Sequence, residues 1–454
     1  MGLQSQSAVA ASGVAFRISR ALGLRERLLT ARLRRQPGAS GLRWPLDGRS
    51  SGQRQTLPVR WAAPQGSATA TGSSTRAAVG GKCAVAATAP THVVEFVSCA
   101  SHAQRLVEEL LASGRDSKMG GSYAAKAQAH ESEGEGRADA QLASIHEVVL
   151  RADGPAVALD CEGVRLGRFG RVCLIQIASS TSGRLFLCDA LRPGVVEALA
   201  PLLESPDVAK VMHDCREDSA ALFHQHGVEL RAVFDTQAAH SVLERRKGSS
   251  PYQVSSAELL RSRLAVRDPP ETAELKSLML RDPQLWARRP LPGPLVRYAL
   301  HGVAKLLELR TSLLQDAEAA DAARSQGQGA ASRPRRASTS TRSSPGVSES
   351  SAEASALSAA EEMAHASARA LDYRLLNQEF PAPEAMAKIG TRLWALAAAC
   401  TTRAIYFKLN AGRVGVVSTP SALKRFEDVQ PGDLALCVVS GISLNGTYLY
   451  LDRY

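Results

Sequence analysis

The stretch Val157-Ala158-Leu159-Asp160-Cys161-Glu162-Gly163 decides how the rest of the chain is read. An apolar run ends in two carboxylates one residue apart, and Gly163 leads into the basic segment Arg165-Leu166-Gly167-Arg168-Phe169-Gly170-Arg171. Side chains alternate across a strand, so Asp160 and Glu162 share one side while Leu159 and Cys161 take the other. Two carboxylates on one face repel unless a cation lies between them, and hard oxygen ligands suit Mg²⁺ or Mn²⁺. Read alone, Asp-x-Glu is more often a solvated strand end. The context argues otherwise: the run is apolar on both faces, as a central strand of an α/β sheet is, and ligands collect at the carboxyl ends of such strands.

At 454 residues the chain is long enough for two or three domains, and 44% hydrophobic content supports packed cores. The formal charge of +11 is entirely N-terminal. Residues 1–82 carry thirteen Lys and Arg against Glu26 and Asp47, and the remainder is balanced. Overall basicity therefore says nothing for polyanion binding by the folded part. The eight cysteines form no C-x-x-C pair and no zinc-like spacing. Cys161, Cys173 and Cys188 sit in apolar strand contexts, which predicts reduced thiols and no structural disulfide. No apolar run approaches the ~18 residues of a membrane span, so a soluble protein without a membrane partner is expected.

The first 40 residues hold seven Arg, no Lys and one acid, interleaved with Leu22, Leu24, Leu28, Leu29 and Leu33. That composition is the one organelle import peptides have, and it points to a mitochondrion or plastid, with cytoplasm or nucleus as the alternative. Residues 1–90 are expected to be targeting peptide and disordered region. A short strand at 92–97 and a helix at 100–112 precede a polar insertion at about 113–140. From Val157 strands and helices alternate: strands at 157–162, 171–178, 184–189, 208–212 and 230–234, helices at 194–204, 217–226, 235–246, 255–263 and 294–314. The first three strands have short links and predict an antiparallel meander; the next two need helical crossovers. A mixed five-stranded sheet flanked by helices, of the ribonuclease H-like kind, is the expectation, and the strand pattern alone leaves other α/β folds open. Residues 315–356 read as a disordered linker, in which Arg335-Arg336-Ala337-Ser338 has the form of a basic-directed kinase site. Residues 357–454 read as an Ala-rich helix followed by a small β-rich, barrel-like module, S1/OB-like or SH3-like, with turns at Asn410-Ala411-Gly412 and Asn445-Gly446.

Two further segments carry chemistry. In Lys210-Val211-Met212-His213-Asp214-Cys215-Arg216-Glu217-Asp218 an apolar strand runs through a turn into a helix, which puts Asp218 in the helix's first turn. In Pro294-Leu295-Val296-Arg297-Tyr298-Ala299-Leu300-His301-Gly302 a helix opened by Pro294 places Tyr298 and Gly302 on one face.

Asp160-Cys161-Glu162-Gly163, His213-Asp214-Cys215 with Asp218-Ser219, Phe234-Asp235-Thr236-Gln237, and Asp282-Pro283-Gln284 with Trp286-Ala287-Arg288-Arg289-Pro290, followed by Tyr298-Ala299, together resemble a family. It is the 3′-5′ exonuclease domain of the ribonuclease D and Egalitarian branch, within the DEDD superfamily whose third motif carries a Tyr. The resemblance covers about 91–314. It implies a ribonuclease H-like fold, two Mg²⁺ or Mn²⁺ ions, and stepwise removal of nucleoside monophosphates from a 3′ end. It also implies roles: Asp160, Glu162 and Asp218 as metal ligands, and Tyr298 as the residue that orients the attacking water. One position departs from the pattern. The family has an Asp four residues after the Tyr, and this chain has Gly302. His301 is about 100° round the helix and needs a distortion to reach the metals.

Arg165, Arg168 and Arg171, with His213, are the candidate nucleic-acid contacts, and Arg245, Arg246 and Lys247 form a second basic cluster. A solvated surface is the alternative for each Arg cluster, a hydrogen-bonded turn residue for His213, and a helix cap is the reading of Asp235. The functional expectation is a metal-dependent 3′-5′ exonuclease acting on single-stranded nucleic acid, RNA rather than DNA, and impaired by Gly302. The alternative is a degenerate nuclease fold that serves as a nucleic-acid-binding or adaptor protein.

Overall fold

The computed structural model describes residues 56–58, 93–116, 135–331 and 357–454. Of the segment read as targeting peptide and disordered region, all but residues 56–58 lies outside the described residues, as do most of the segment read as an insertion and the Arg335–Ser338 motif.

Seven strands form one mixed sheet in the order β1-β2-β5-β4-β3-β6-β7. They are β1 Thr56–Pro58, β2 Val93–Val97, β3 Ala156–Val164, β4 Arg171–Ser179, β5 Leu185–Cys188, β6 Ala209–Met212 and β7 Val233–Asp235. β3, β4 and β5 make the expected antiparallel meander, and β6 and β7 run parallel to β3. The helices α1 Ala100–Asp116, α2 Glu135–Leu150, α3 Val195–Leu203 and α4 Arg216–His226 include the crossovers that parallel pairing requires. The five expected strands thus form one contiguous part of the ribonuclease H-like sheet, with β7 at its edge. β2 widens it by pairing parallel to β5, and β1 pairs antiparallel outside β2.

Alternation along β3 builds both faces. Leu159 and Cys161 enter one apolar layer with Ile175, Phe186 and Leu222. Ala158 enters the other, with Leu174, Phe234 and Leu300. Fully burying each such side chain contributes about 1.5–3 kcal/mol, so the strand is fixed at its apolar end while the carboxylates stay at the other. Register shifts at Glu162/Gly163, where β3 leaves its even pairing with β4. A Cβ on Gly163 would lie 2.2 Å from the Arg171 carbonyl oxygen, so no other residue fits this bulge.

Beyond the sheet lie α5 Thr236–Arg246, α6 Ser256–Leu264, α7 Thr272–Arg281, α8 Gly293–Ala304 and α9 Leu306–Ala331. The single helix expected at 294–314 is two, parted at Lys305. α9 also continues well past residue 315, where a linker was expected to start. Leu309, Leu313, Leu314 and Ala317 are buried, so its first turns belong to the core rather than to a tether. α7 was missed: its apolar face buries little beyond Leu275. The insertion is shorter than expected, since α1 reaches Asp116 and α2 starts at Glu135.

Helix α10, Ala359–Leu371, opens with a capping box between Ser358 and Glu361. It packs on the exonuclease-like sheet, where the Asp235 N–H donates to Ser367 Oγ at 3.0 Å. After the short helix α11 Pro383–Met386 come β8 Arg392–Cys400, β9 Ile405–Lys408, β10 Val414–Val417, α12 Pro420–Arg425, β11 Leu434–Ile442 and β12 Tyr448–Arg453. These strands close into a barrel of order β10-β12-β11-β8-β9. The third and fifth strands, β10 and β12, are parallel, and a helix lies between the third and fourth. That is the OB topology, which decides between the two barrels left open by the sequence. The barrel is not a separate module. Arg168 donates to the carbonyl oxygens of Asn377, Gln378 and Phe380 at 2.8, 3.1 and 2.8 Å, and Lys408 pairs with Asp214 at 2.7 Å. Among the described residues no helix is long and apolar enough to cross a membrane.

Candidate active site

Asp160 and Glu162 leave β3 toward α8, and Asp218 arrives from the first turn of α4 on the sheet's other layer. The approach of α8 is close: a Cβ on Gly302 would stand 3.0 Å from Asp160 Oδ2. Asp218 is 6% exposed, and its Oδ1 has no hydrogen-bond partner. Burial pushes the Asp160 carboxyl up to about 7. Burial, then the negative charges of Asp160 and Asp218, holds Glu162 well above the carboxylate range. Asp218 is raised by burial and by Asp160, against the pull of Lys408. The sequence reading separated these residues by up to 58 positions, and the structure brings all three into one electrostatic cluster with too much negative charge for its surroundings. Tyr298 belongs to it as well. Burial, Glu162, Asp160 and Asp268 raise its hydroxyl far above the ordinary Tyr range, so it stays a protonated donor at neutral pH. Its ring is held 6.1 Å from that of Trp286.

The donor chemistry suits a hard divalent cation: carboxylate oxygens only, one of them buried without a partner, and mutual repulsion that a positive charge would relieve. In this conformation, however, no group of three or more His, Cys, Asp or Glu among the described residues closes into a metal cage. Gly302 accounts for part of that, because the helix face nearest Asp160 carries no ligand. His301 does not substitute. Its Nε2 lies 3.3 Å from Asp268 Oδ1, so its ring turns toward the loop before α7.

The candidate nucleic-acid contacts separate in the structure. Both ring nitrogens of His213 are used, Nδ1 with Thr236 Oγ1 at 2.9 Å and Nε2 with the Val254 carbonyl at 3.0 Å, which makes it a turn residue. Arg168 is the strap to the barrel, stacked over Phe169 at 4.6 Å, so it is not a phosphate contact. Arg165 is exposed with φ 48°, and Arg171 reaches Gln284 Oε1 at 3.3 Å. In the second cluster Arg246 is consumed by Asp321 and Glu362. Asp235 caps α5 as read, accepting from Gln237 and Ala238, and also receives the N–H groups of Asp214 and Cys215.

Sequence reasoning missed the node beside Asp218. Asp214, at φ 54°, binds Arg216, Gln253 and Lys408. Burial opposes its ionisation, but Arg216 and Lys408 outweigh that and bring it to about 2. Next to it Glu217 accepts from the Tyr373 hydroxyl at 2.6 Å, and that oxygen accepts the Asn410 N–H at 2.7 Å. The only local sign was an Asp in the turn after an apolar strand, a residue type that tolerates positive φ. Its partners lie up to 194 positions away.

The sequence model described as 3′-5′ exonuclease matches residues 137–318. The segment belongs to the DEDD exonucleases, in their ribonuclease D-like branch. The "piRNA biogenesis protein EXD1" of Mus musculus is 33% identical over 169 residues, covering 35% of this chain and 29% of that protein. "Ribonuclease D" of Nitrobacter hamburgensis is 29% identical over 180 residues, covering 39% and 42%. The chain thus spans less than half the length of either relative. Escherichia coli RNase D superposes with a TM-score of 0.30 at 25% identity over 42% of this chain and 48% of that one, and the fold assignment rests on strand order instead. DEDD exonucleases as a family depend on divalent metal ions. Asp160, Glu162, Asp218, Tyr298 and Gly302 all fall within the matched segment.

Proposed function

We propose that the chain hydrolyses phosphodiester bonds at the 3′ ends of single-stranded RNA, at a rate lowered by the missing third-motif carboxylate. The observation that carries this reading is the convergence of Asp160, Glu162 and Asp218 into one cluster whose carboxyls are all held above their ordinary range. Such a cluster costs stability unless a cation relieves it, and functional sites are where such costs are found. Asp160, Glu162 and Asp218 would hold the Mg²⁺ or Mn²⁺. The bound ions supply charge neutralisation of the phosphate and a lowered pKa for the attacking water. Tyr298, protonated, donates a hydrogen bond that orients that water, a role of positioning rather than of base catalysis. RNA is favoured over DNA because the similar proteins are named for RNA work. The Arg-rich N-terminus directs the protein to an organelle.

Gly302 favours a second reading, a nuclease fold that binds RNA without cutting it, since His301 turns to Asp268 and leaves the gap unfilled. Incubation of the full chain with a 5′-fluorescein oligouridylate and Mn²⁺ separates the two. The first reading expects a ladder shortened from the 3′ end, with uridine monophosphate released, and loss of both in Asp160→Asn and Asp218→Asn. Binding without any product would overturn it and leave the second.

A further inference from the structure

The barrel has a face that the nuclease chemistry does not use. Strand alternation puts Phe407, Leu449 and Leu451 inside, at 1%, 0% and 2% exposure, and turns Tyr406, Tyr448 and Tyr450 outward at 39%, 40% and 42%. Register then lines these residues up. Val416 of β10 pairs with Tyr406 on one side and Tyr450 on the other, and Val414 pairs with Lys408 and Tyr448. Two cross-strand rows result, Tyr406-Val416-Tyr450 and Lys408-Val414-Tyr448, and Val416 is only 7% exposed between its two tyrosines. β9 and β10 are the second and third strands of an OB barrel, the face with which such barrels bind oligonucleotides.

The face is also joined to the candidate active site. A groove of about 390 Å³ is lined by Tyr406, Lys408 and Arg413 from the barrel and by Leu166, Glu217 and Gln253 from the exonuclease segment. Glu217 is the residue before Asp218, and Lys408 is bonded to Asp214 in the turn that leads to it. The groove beside the tyrosines therefore has, on its exonuclease wall, the residue next to Asp218.

We propose that the outer face of β9, β10 and β12 is a stacking platform for single-stranded nucleic acid, which feeds its 3′ end along the groove toward Asp218. The proposal rests on the nuclease-site reading for the direction of the path, but not for the platform itself. Bases stack on Tyr406, Tyr448 and Tyr450. Lys408 and Arg413 are already engaged, by Asp214 and by the Gly446 carbonyl, and the chain beyond residue 82 has no net basic charge. Stacking rather than phosphate neutralisation thus carries the affinity, which makes its salt dependence shallow.

The test is fluorescence polarisation of the full chain with a 5′-fluorescein oligouridylate of about 20 nucleotides, longer than the ~4–16 that one OB fold covers. EDTA is present, so no product forms. Tyr406→Ala and Tyr450→Ala should each raise Kd by about 5- to 150-fold, the range for a lost base–aromatic stack, and Tyr450→Phe should restore binding. Tyr454→Ala, whose ring lies over Arg392 away from β9 and β10, should leave Kd unchanged. The proposal is overturned if the wild type ignores the probe, as it would were this face made for a protein, or if the alanine variants bind as tightly as wild type. Loss of binding in those variants, beside a wild type that releases no monophosphate in the separate Mn²⁺ incubation, would sink the nuclease reading and keep the platform. Unchanged binding beside normal product release would do the reverse.

Discussion

Replacing Gly302 by Asp puts a fourth carboxylate into the cluster and tests directly why it is missing. The new Cβ would stand 3.0 Å from Asp160 Oδ2, so the two carboxylates are forced to be neighbours. Two unit charges ~4–5 Å apart at an effective dielectric of ~20 repel by about 3–4 kcal/mol. The protein has a cheaper escape. Asp160 titrates at about 7, and keeping it protonated at pH 8 costs only about 1.4 kcal/mol, one pH unit above that value. In EDTA at pH 8 the variant should therefore lose about 1.4 kcal/mol, which for a domain of this size lowers Tm by roughly 3–6 °C. With Mn²⁺ the sign reverses. The added ligand should raise metal affinity at least ~10- to 100-fold, the range already seen for groups one step removed from a metal. Differential scanning fluorimetry across a Mn²⁺ titration, beside oligouridylate hydrolysis, reads both effects. A variant no less stable than wild type in EDTA, and no more responsive to Mn²⁺, would refute the reasoning that these side chains share a cation site.

Further outcomes follow from the same geometry. Asp160 has a folded pKa of about 7 against 3.8, so the stability it contributes is present below the lower value and lost as pH rises through the upper one. Without metal, Tm should fall between pH 6 and 8, and the gain on adding Mg²⁺ should be larger at pH 8; equal gains at both would contradict this. Lys408→Met removes a partly buried cation from Asp214 and should cost about 1–3 kcal/mol in denaturant midpoint measurements, with weaker docking of the barrel seen as faster amide exchange in β9. Leu159→Ala empties a fully buried site behind the carboxylates and should cost about 2–5 kcal/mol by urea unfolding. Residues 1–40 fused to a fluorescent protein should carry it into an organelle, and diffuse fluorescence would remove the import reading.

The sheet was legible because its strands are short, apolar and punctuated by turns, and because β3 keeps the period-two order that sends Leu159 and Asp160 to opposite layers. Asp218 was legible from its place in a first helical turn after a strand, a local pattern. What was not legible depends on contacts across long separations. The Arg cluster beside the first motif looked like a phosphate contact, yet Arg168 binds carbonyl groups some 210 residues later. The Ala- and acid-rich stretch after residue 315 looked like a linker because its apolar residues are sparse, although Ala317 is fully buried and Asp321 holds Arg246. Docking of the barrel includes single polar links such as Lys408 to Asp214, which no periodicity announces. The β-rich character of the barrel, by contrast, could be read, although β8 at Arg392–Cys400 was missed, and the pairing order was needed to choose OB.

The central claim is that Asp160, Glu162 and Asp218 are one cation site. Crystals of the full chain soaked in Mn²⁺ and measured at the manganese absorption edge test it most directly. The account predicts an anomalous peak within bonding distance, about 2.0–2.3 Å, of oxygens from Asp160 and Asp218, with the carboxylates drawn together around it. An anomalous map with no peak among these three side chains, at a Mn²⁺ concentration that fills other sites, would contradict it.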